Sequence, residues 1–483
     1  MMRRRMPELA LLAGILALGA HAQAQEQSAA DRAVEAAKQY AGTTLNITWE
    51  AGLQALDPLD FSGPMWEELT GIKINVVEVP IAELFTKTLA EHRAGTGAYD
   101  LLNVVPAWIP DLAEAGVLEP LDQYVDKHGY REELQDIAPV YRDNQMTYQG
   151  TIYALPDDGD VFIMYYRKDL FGDPQHQEAF KAQYGRDLAP PTTWEEFAEV
   201  GRYFTEATGG EVYGAGAFRQ GGLVHYFWEE RFRANGGSFF DPDTMEATIN
   251  SEAGVKTLQQ MIDEHEWMPP GIETWGAIEN LSAWLAGDLA MTEWWPPPGR
   301  WSEGYGTDTE ALSWVPESQI AGKVGYFERP GGHPELAAGF SLAVSSNSRN
   351  KEAAYLFAQW LNSKEISLQR VMLPYALRDP FRTSHFESEE YKALWPYADE
   401  YLAILQKGAE TGLLDLSIRN TFAYEESLTR AITAAFAGED PQAALDQAAE
   451  EWNALTEQVG VDAQRQAYQD WASKPNAYPP GSN

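Results

Sequence analysis

The chain is predicted to be an α/β protein of two lobes, each built on a parallel sheet covered by helices. Two observations lead there. Strand-like and helix-like patterns alternate along the sequence with short connections, the arrangement that stacks helices on parallel sheets. The length of 483 residues also exceeds the ~250–300 residues that a single hydrophobic core serves, so the chain must divide.

The elements follow in order. Residues 28–40 carry alanines at helical spacing and predict a short helix ahead of the first strand. Residues 45–49, Leu-Asn-Ile-Thr-Trp, alternate with period two and predict that strand. A turn at Thr70-Gly71 leads into a second strand at 72–79, and a helix over 81–93 stops at Gly95. Residues 100–105 predict a buried strand, followed by a helix near 109–116. In the second block, 162–167 predicts a strand. Thr193 caps a helix whose first turn carries Glu195 and Glu196, and Asn250-Ser251-Glu252 opens another that runs to about residue 265. Amphipathic spacing predicts late helices over 351–363 and 441–459. Residues 471–483, rich in Pro, Gly and Asn from Lys474 onward, are expected to form a flexible tail.

The first 24 residues predict a cleavable signal peptide. Arg3, Arg4 and Arg5 precede an apolar run over 9–20, which is too short for a hydrocarbon core that needs roughly 20 residues. The small-x-small patterns Ala20-His21-Ala22 and Ala22-Gln23-Ala24 then supply cleavage sites. Export to the periplasm is the expectation. The chain has no cysteine, which excludes disulfides, thiolate metal sites, a cysteine nucleophile and a lipid-anchored cysteine. Against 35 Lys and Arg stand 73 Asp and Glu, for a formal net charge of −38. A field of that sign repels nucleic acid and anionic membranes, so neither is expected as a partner; it leaves a cationic solute open.

Catalytic patterns are largely missing. The eight histidines are scattered, with no H-E-x-x-H pair. Gly95-x-Gly97 and Gly214-x-Gly216 lack the remainder of a phosphate loop and read as turns. Asp241-Pro242-Asp243 begins like a calcium loop but lacks its glycine and final glutamate, and no G-x-S-x-G elbow occurs. No catalytic residue, metal or cofactor is therefore assigned. The 16 Trp and 23 Tyr offer flat faces that suit sugar rings, though such residues serve a core equally well.

A series of segments in fixed order carries a resemblance. Residues 67–74 (EELTGIKI), 98–102 (AYDLL) and 116–121 (GVLEPL) are followed by 150–171, GTIYALPDDGDVFIMYYRKDLF. After them come 190–197 (PPTTWEEF), 283–291 (AWLAGDLAM), 339–344 and 350–361. Together they make the chain similar to family 1 extracellular solute-binding proteins, the group that includes the maltose-binding protein. The resemblance implies the two-lobed periplasmic-binding-protein fold of type II, with a ligand cleft between lobes that close by hinge bending. On this reading 25–42 is an N-terminal helical extension, 43–156 and 325–375 form the N-lobe, and 157–324 and 376–470 form the C-lobe. The first crossover falls at 156–160, where Gly159 is expected to supply backbone freedom.

The resemblance also implies the solute, a sugar or polyol, and the partners, membrane permease subunits of an ABC transporter; a monomer is expected. Asp160 aligns with an acidic hinge residue that bonds sugar hydroxyls, with Asp158 beside it. Trp294 and Trp295 fall near the family's stacking tryptophan, one expected at the ligand and one packed, because Pro296-Pro297-Pro298 shifts the register. Trp108, the pair Tyr226 and Trp228, the return-strand residues Gly339 and Phe340, Arg378 with Asp379, and the first-lobe acids Asp57 and Asp60 complete the candidates. Two other readings stay open: a binding protein for a polyamine or other cation, and a secreted glycosidase, which would also place carboxylates and tryptophans in a cleft.

Overall fold

The computed structural model describes residues 27–336, 339–375 and 377–480; the expected signal peptide lies outside them. Nine strands form two sheets: β1 (Thr44–Glu50), β2 (Lys73–Val79), β3 (Leu101–Val104), β4 (Ala154–Asp158), β5 (Ile163–Arg167), β6 (Tyr213–Gly216), β7 (Leu289–Trp294), β8 (Val324–Phe327) and β9 (Phe340–Val344). The first sheet runs β2-β1-β3-β9-β4 and the second β8-β5-β7-β6. Leu45, Ile47 and Trp49, the apolar positions of the period-two pattern, are all buried. β1 pairs with β2 in parallel from Thr44↔Lys73 to Glu50↔Val79.

The sheets are mixed rather than parallel. β9 runs antiparallel to both its neighbours, β3 and β4, and β5 runs antiparallel to β7 and β8. Each sheet therefore takes in one strand delivered by a crossover from the other lobe. β8 belongs to the second sheet, so the return to the first lobe begins after Phe327 and not at residue 325. The Gly214-x-Gly216 segment, expected as a turn, is strand β6. Its glycines answer a steric demand from the helix Trp194–Ala207 and from Asn280: a Cβ on Gly214 would lie 2.0 Å from the Gly201 carbonyl oxygen, and one on Gly216 would lie 2.2 Å from Asn280 Oδ1.

Three segments join the lobes, with described parts at 159–162, 328–336 and 377–382. They are tied to one another. The Phe162 N–H donates to the Glu335 carbonyl at 3.0 Å, and the Gly159 N–H to the Asp379 carbonyl at 3.1 Å. Gly159 is not in the left-handed region; it is small because a Cβ there would stand 2.2 Å from the Pro380 carbonyl oxygen. Gly339, at φ +58°, does need glycine's conformational range.

The N-terminal helix Ala29–Ala37 starts on a Ser28 cap and buries Ala29, Ala30, Ala33 and Ala37 against the helix Lys351–Asn362. The C-terminal stretch is not a loose tail. Ala477 and Tyr478 are buried, with Tyr478 edge-on to Trp471 at 5.5 Å, and the Ala477 carbonyl accepts from Arg233 at 2.9 Å. The composition conceals this because part of the aromatic seat, Phe239, comes from far away in the chain and meets Tyr478 beside Trp471.

Candidate functional site

A cavity of about 260 Å³ opens between the lobes. One side is aromatic and comes from the second lobe: Phe218, Trp294, Trp295, Trp301 and Trp314. On the opposite side Glu50 and Gln54 from the first lobe, and Asp160 and Asp379 from two of the crossovers, stand among Leu53, Ile81, Phe340 and Leu377. Glu50 ends β1 and Trp294 ends β7, so both stand at strand carboxyl termini, where open α/β sheets bind ligands.

Both tryptophans of the 294–295 pair line the cavity, instead of one lining it and one packing. The sheet stops at Trp294, and Pro297 and Pro298 then start a short helix, Pro297–Ser302. Tyr165 holds this turn by donating to the carbonyls of Trp295 at 2.7 Å and Pro296 at 2.9 Å. The Trp295 ring meets Phe162, Phe218 and Phe227 edge-on at 4.7–5.7 Å. Trp301 donates its indole N–H to Pro374 at 3.0 Å and stands edge-on to Trp314.

The polar side is dense in carboxylates. Oxygens of Asp158, Asp160 and Asp379 lie within 4.8 Å of one another. Asp160 accepts from the Gly339 N–H at 3.0 Å, and Asp158 accepts from the Asp379 N–H at 2.7 Å. Arg300 stands 3.6 Å from Asp379. Burial, reinforced by Asp158 and Asp379, pushes Asp160 far above the usual carboxylate range. Burial also raises Asp158, with Asp379 adding to it. Asp379 is raised by burial and held back by Arg300. Glu50 is pushed by burial to about 7, with Arg378 opposing. This wall accepts hydrogen bonds from hydroxyls or from an ammonium. The three clustered aspartates have the spacing of metal ligands, but Arg300 already supplies positive charge to Asp379.

Of the residues singled out in the sequence, Asp160, Trp294, Trp295 and Phe340 line the cavity, and Asp158 and Gly339 lie directly against Asp160. The others lie elsewhere. Asp57 is buried and accepts from Arg370 at 2.7 Å; Asp60 is exposed in the turn beyond it. Arg378 is buried, 2.8 Å from Asp157, with its guanidinium over the Trp49 ring. Trp108 packs edge-on against Phe85 and Phe422. Tyr226 and Trp228 sit on the helix Val224–Ala234, which is buried from Val224 to Arg233; Trp228 stacks on Phe232 at 4.4 Å.

Sequence reasoning missed Glu50, Gln54, Phe218, Trp301 and Trp314; of the Arg378 and Asp379 pair, it is Asp379 that lines the cavity. Glu50 carried a usable signal, as the residue that ends the first strand. Trp301 and Trp314 carried none.

Residues 38–367 match the family model described as bacterial extracellular solute-binding protein. Among curated relatives, a “Probable amino-acid ABC transporter periplasmic-binding protein” of Sinorhizobium fredii is 26% identical over 388 residues, covering 78% of this chain and 81% of the relative. An erythritol/L-threitol-binding protein of Mycolicibacterium smegmatis is 23% identical over 375 residues and covers 72% of each. The solved solute-binding protein of Agrobacterium radiobacter K84, in complex with ribitol, superposes with a TM-score of 0.71 at 25% identity, over 86% of this chain and 99% of that one.

Proposed function

Because the chain belongs to the bacterial extracellular solute-binding proteins, we propose that it is the periplasmic component of an ABC importer and that it captures a small polyol or sugar. One observation carries the reading: the interlobe cavity sets an aromatic wall against a carboxylate wall. Aromatic faces suit the C–H surfaces of a polyol or sugar, and carboxylates suit its hydroxyls. The cavity volume of about 260 Å³ falls just below the ~300 to 1,000 Å³ of drug-sized ligand pockets. That favours an acyclic polyol or a monosaccharide over an oligosaccharide. The relative named for erythritol and the neighbour holding ribitol support the same class.

One relative is named for amino acids. An amino acid would need a cation for its carboxylate, and the arginines beside this cavity already face acids: Arg300 faces Asp379, Arg370 faces Asp57 and Asp157, and Arg378 faces Asp157. Among the described residues no helix is long and apolar enough to cross a membrane; membership of the family supports permease subunits as the partners that take the solute on. Lobe closure gives affinity by population shift, since both walls touch the solute together only in the closed form.

Thermal melting against a panel of polyols, sugars, amino acids and polyamines tests the reading. A saturable rise in Tm with a polyol or monosaccharide is expected. A response to polyamines alone would replace it with a cation-binding protein. Turnover of aryl glycosides, abolished by substituting one cleft carboxylate, would make the protein a glycosidase.

A further inference from the structure

The polar wall of the cleft is out of charge balance. Five buried aspartates, Asp57, Asp157, Asp158, Asp160 and Asp379, surround three buried arginines, Arg300, Arg370 and Arg378. Arg370 is taken by Asp57 and Asp157, and Arg378 by Asp157 at 2.8 Å, with Asp158 farther off at 3.9 Å. Arg300 faces Asp379. Among the described residues no arginine, lysine or histidine lies within ion-pair distance of Asp160. Yet its oxygens lie within 4.8 Å of those of Asp158 and Asp379, and like charges that close do not all ionise.

We propose that Asp160 and Asp379 share a proton and together form the hydroxyl-reading element of the cleft, so that a neutral polyol is captured with that proton in place. The inference rests on the polyol reading above. A hydroxyl both donates and accepts, whereas an ionised carboxylate only accepts. On the polar side Gln54 Nε2 already donates to the Leu377 carbonyl at 2.7 Å, and the indole N–H groups of the cavity belong to the aromatic side. The shared proton gives the wall a donor beside its acceptors, and that makes Asp379 a determinant of specificity.

Every element packed around the pair agrees. Arg300 and Arg378 are the cations that face it, and Asp158 and Glu50 are the further acids. The phenols of Tyr141, Tyr165, Tyr391 and Tyr401 are held above their ordinary value by burial, and so stay neutral and add no negative charge. Burial raises Asp160 first, and its acidic neighbours raise it further.

Calorimetric titration of ribitol and D-mannitol, in buffers of different ionisation enthalpy from about pH 6 to about pH 9, counts the protons exchanged on binding. The expected result is proton uptake on the alkaline side, with affinity falling towards tenfold per pH unit. Asp379→Asn and Asp160→Asn should each flatten that dependence. Several buried acids, Glu229, Glu425 and Asp415 among them, also hold protons at neutral pH, so the infrared readout is a difference: the spectrum of the ligand-free protein minus that of Asp160→Asn should show one protonated-carboxyl carbonyl band. Affinity independent of pH, with no effect of buffer, would overturn the proposal, and so would proton release. If neither polyol binds, the functional reading fails and the infrared difference alone decides: no carbonyl band lost in Asp160→Asn ends the proposal.

Discussion

Trp294 and Trp295 share the cavity but not their surroundings. Trp294 ends a strand and is 7% exposed, whereas Trp295 is only partly buried and stands edge-on to three phenylalanines. Trp295→Ala is therefore expected to weaken solute binding at least tenfold while leaving the melting temperature of the ligand-free protein close to its original value. Trp294→Ala should also destabilise the fold, by about 3 kcal/mol, as truncation of a core tryptophan does. Solute titration and thermal melts on the two variants separate these effects. Asp160 and Phe340 could be singled out in the sequence because each sits inside a family-like segment, and Trp294 and Trp295 because they follow one closely. The places of Asp57 and Arg378 were not legible, for a physical reason. An aspartate in the loop after a strand looks the same whether it faces a solute or an arginine 313 positions away, which is where Asp57 finds Arg370.

At the scale of elements, period and caps did most of the work. β1 and β2 follow the alternation of their side chains, and Thr193 accepts from the Glu196 N–H at 3.1 Å as a helix cap should. What periodicity could not give was strand direction, because β5 and β9 owe theirs to the crossovers that deliver them. The crossovers are packed backbone to backbone, and Gly159 marks the tightest approach. Gly159→Ala places a Cβ against the Pro380 carbonyl. It is expected to cost about 1–3 kcal/mol, the range for overpacked sites, and a lowered Tm would register it. A variant that melts like the original protein would show that the crossovers separate freely.

For the whole molecule, the buried acids set the response to pH. Burial raises Glu50 and Glu335 to about 7 and Glu425 to about 8, and raises Glu229, Asp160 and Asp415 well above their ordinary values. Such groups stay protonated in the folded chain while their unfolded counterparts ionise near pH 4. Their stabilising share is thus complete below about pH 4 and is lost as pH rises towards about 8. Asp157 and Glu293, lowered by arginines, act oppositely and lose their share as pH falls through their own range. Melting at pH 5 should therefore exceed melting at pH 8, by on the order of 5 °C.

The placement of β9 has a kinetic consequence. It lies between β3 and β4, yet the whole second sheet intervenes in sequence between β4 and β9. A nascent first lobe therefore holds two unzipped edges until residue 340 arrives, and its sheet cannot close independently of the second. Sequence-distant pairing of this kind slows folding through loop-closure entropy. The two lobes are therefore expected to be acquired as one cooperative unit.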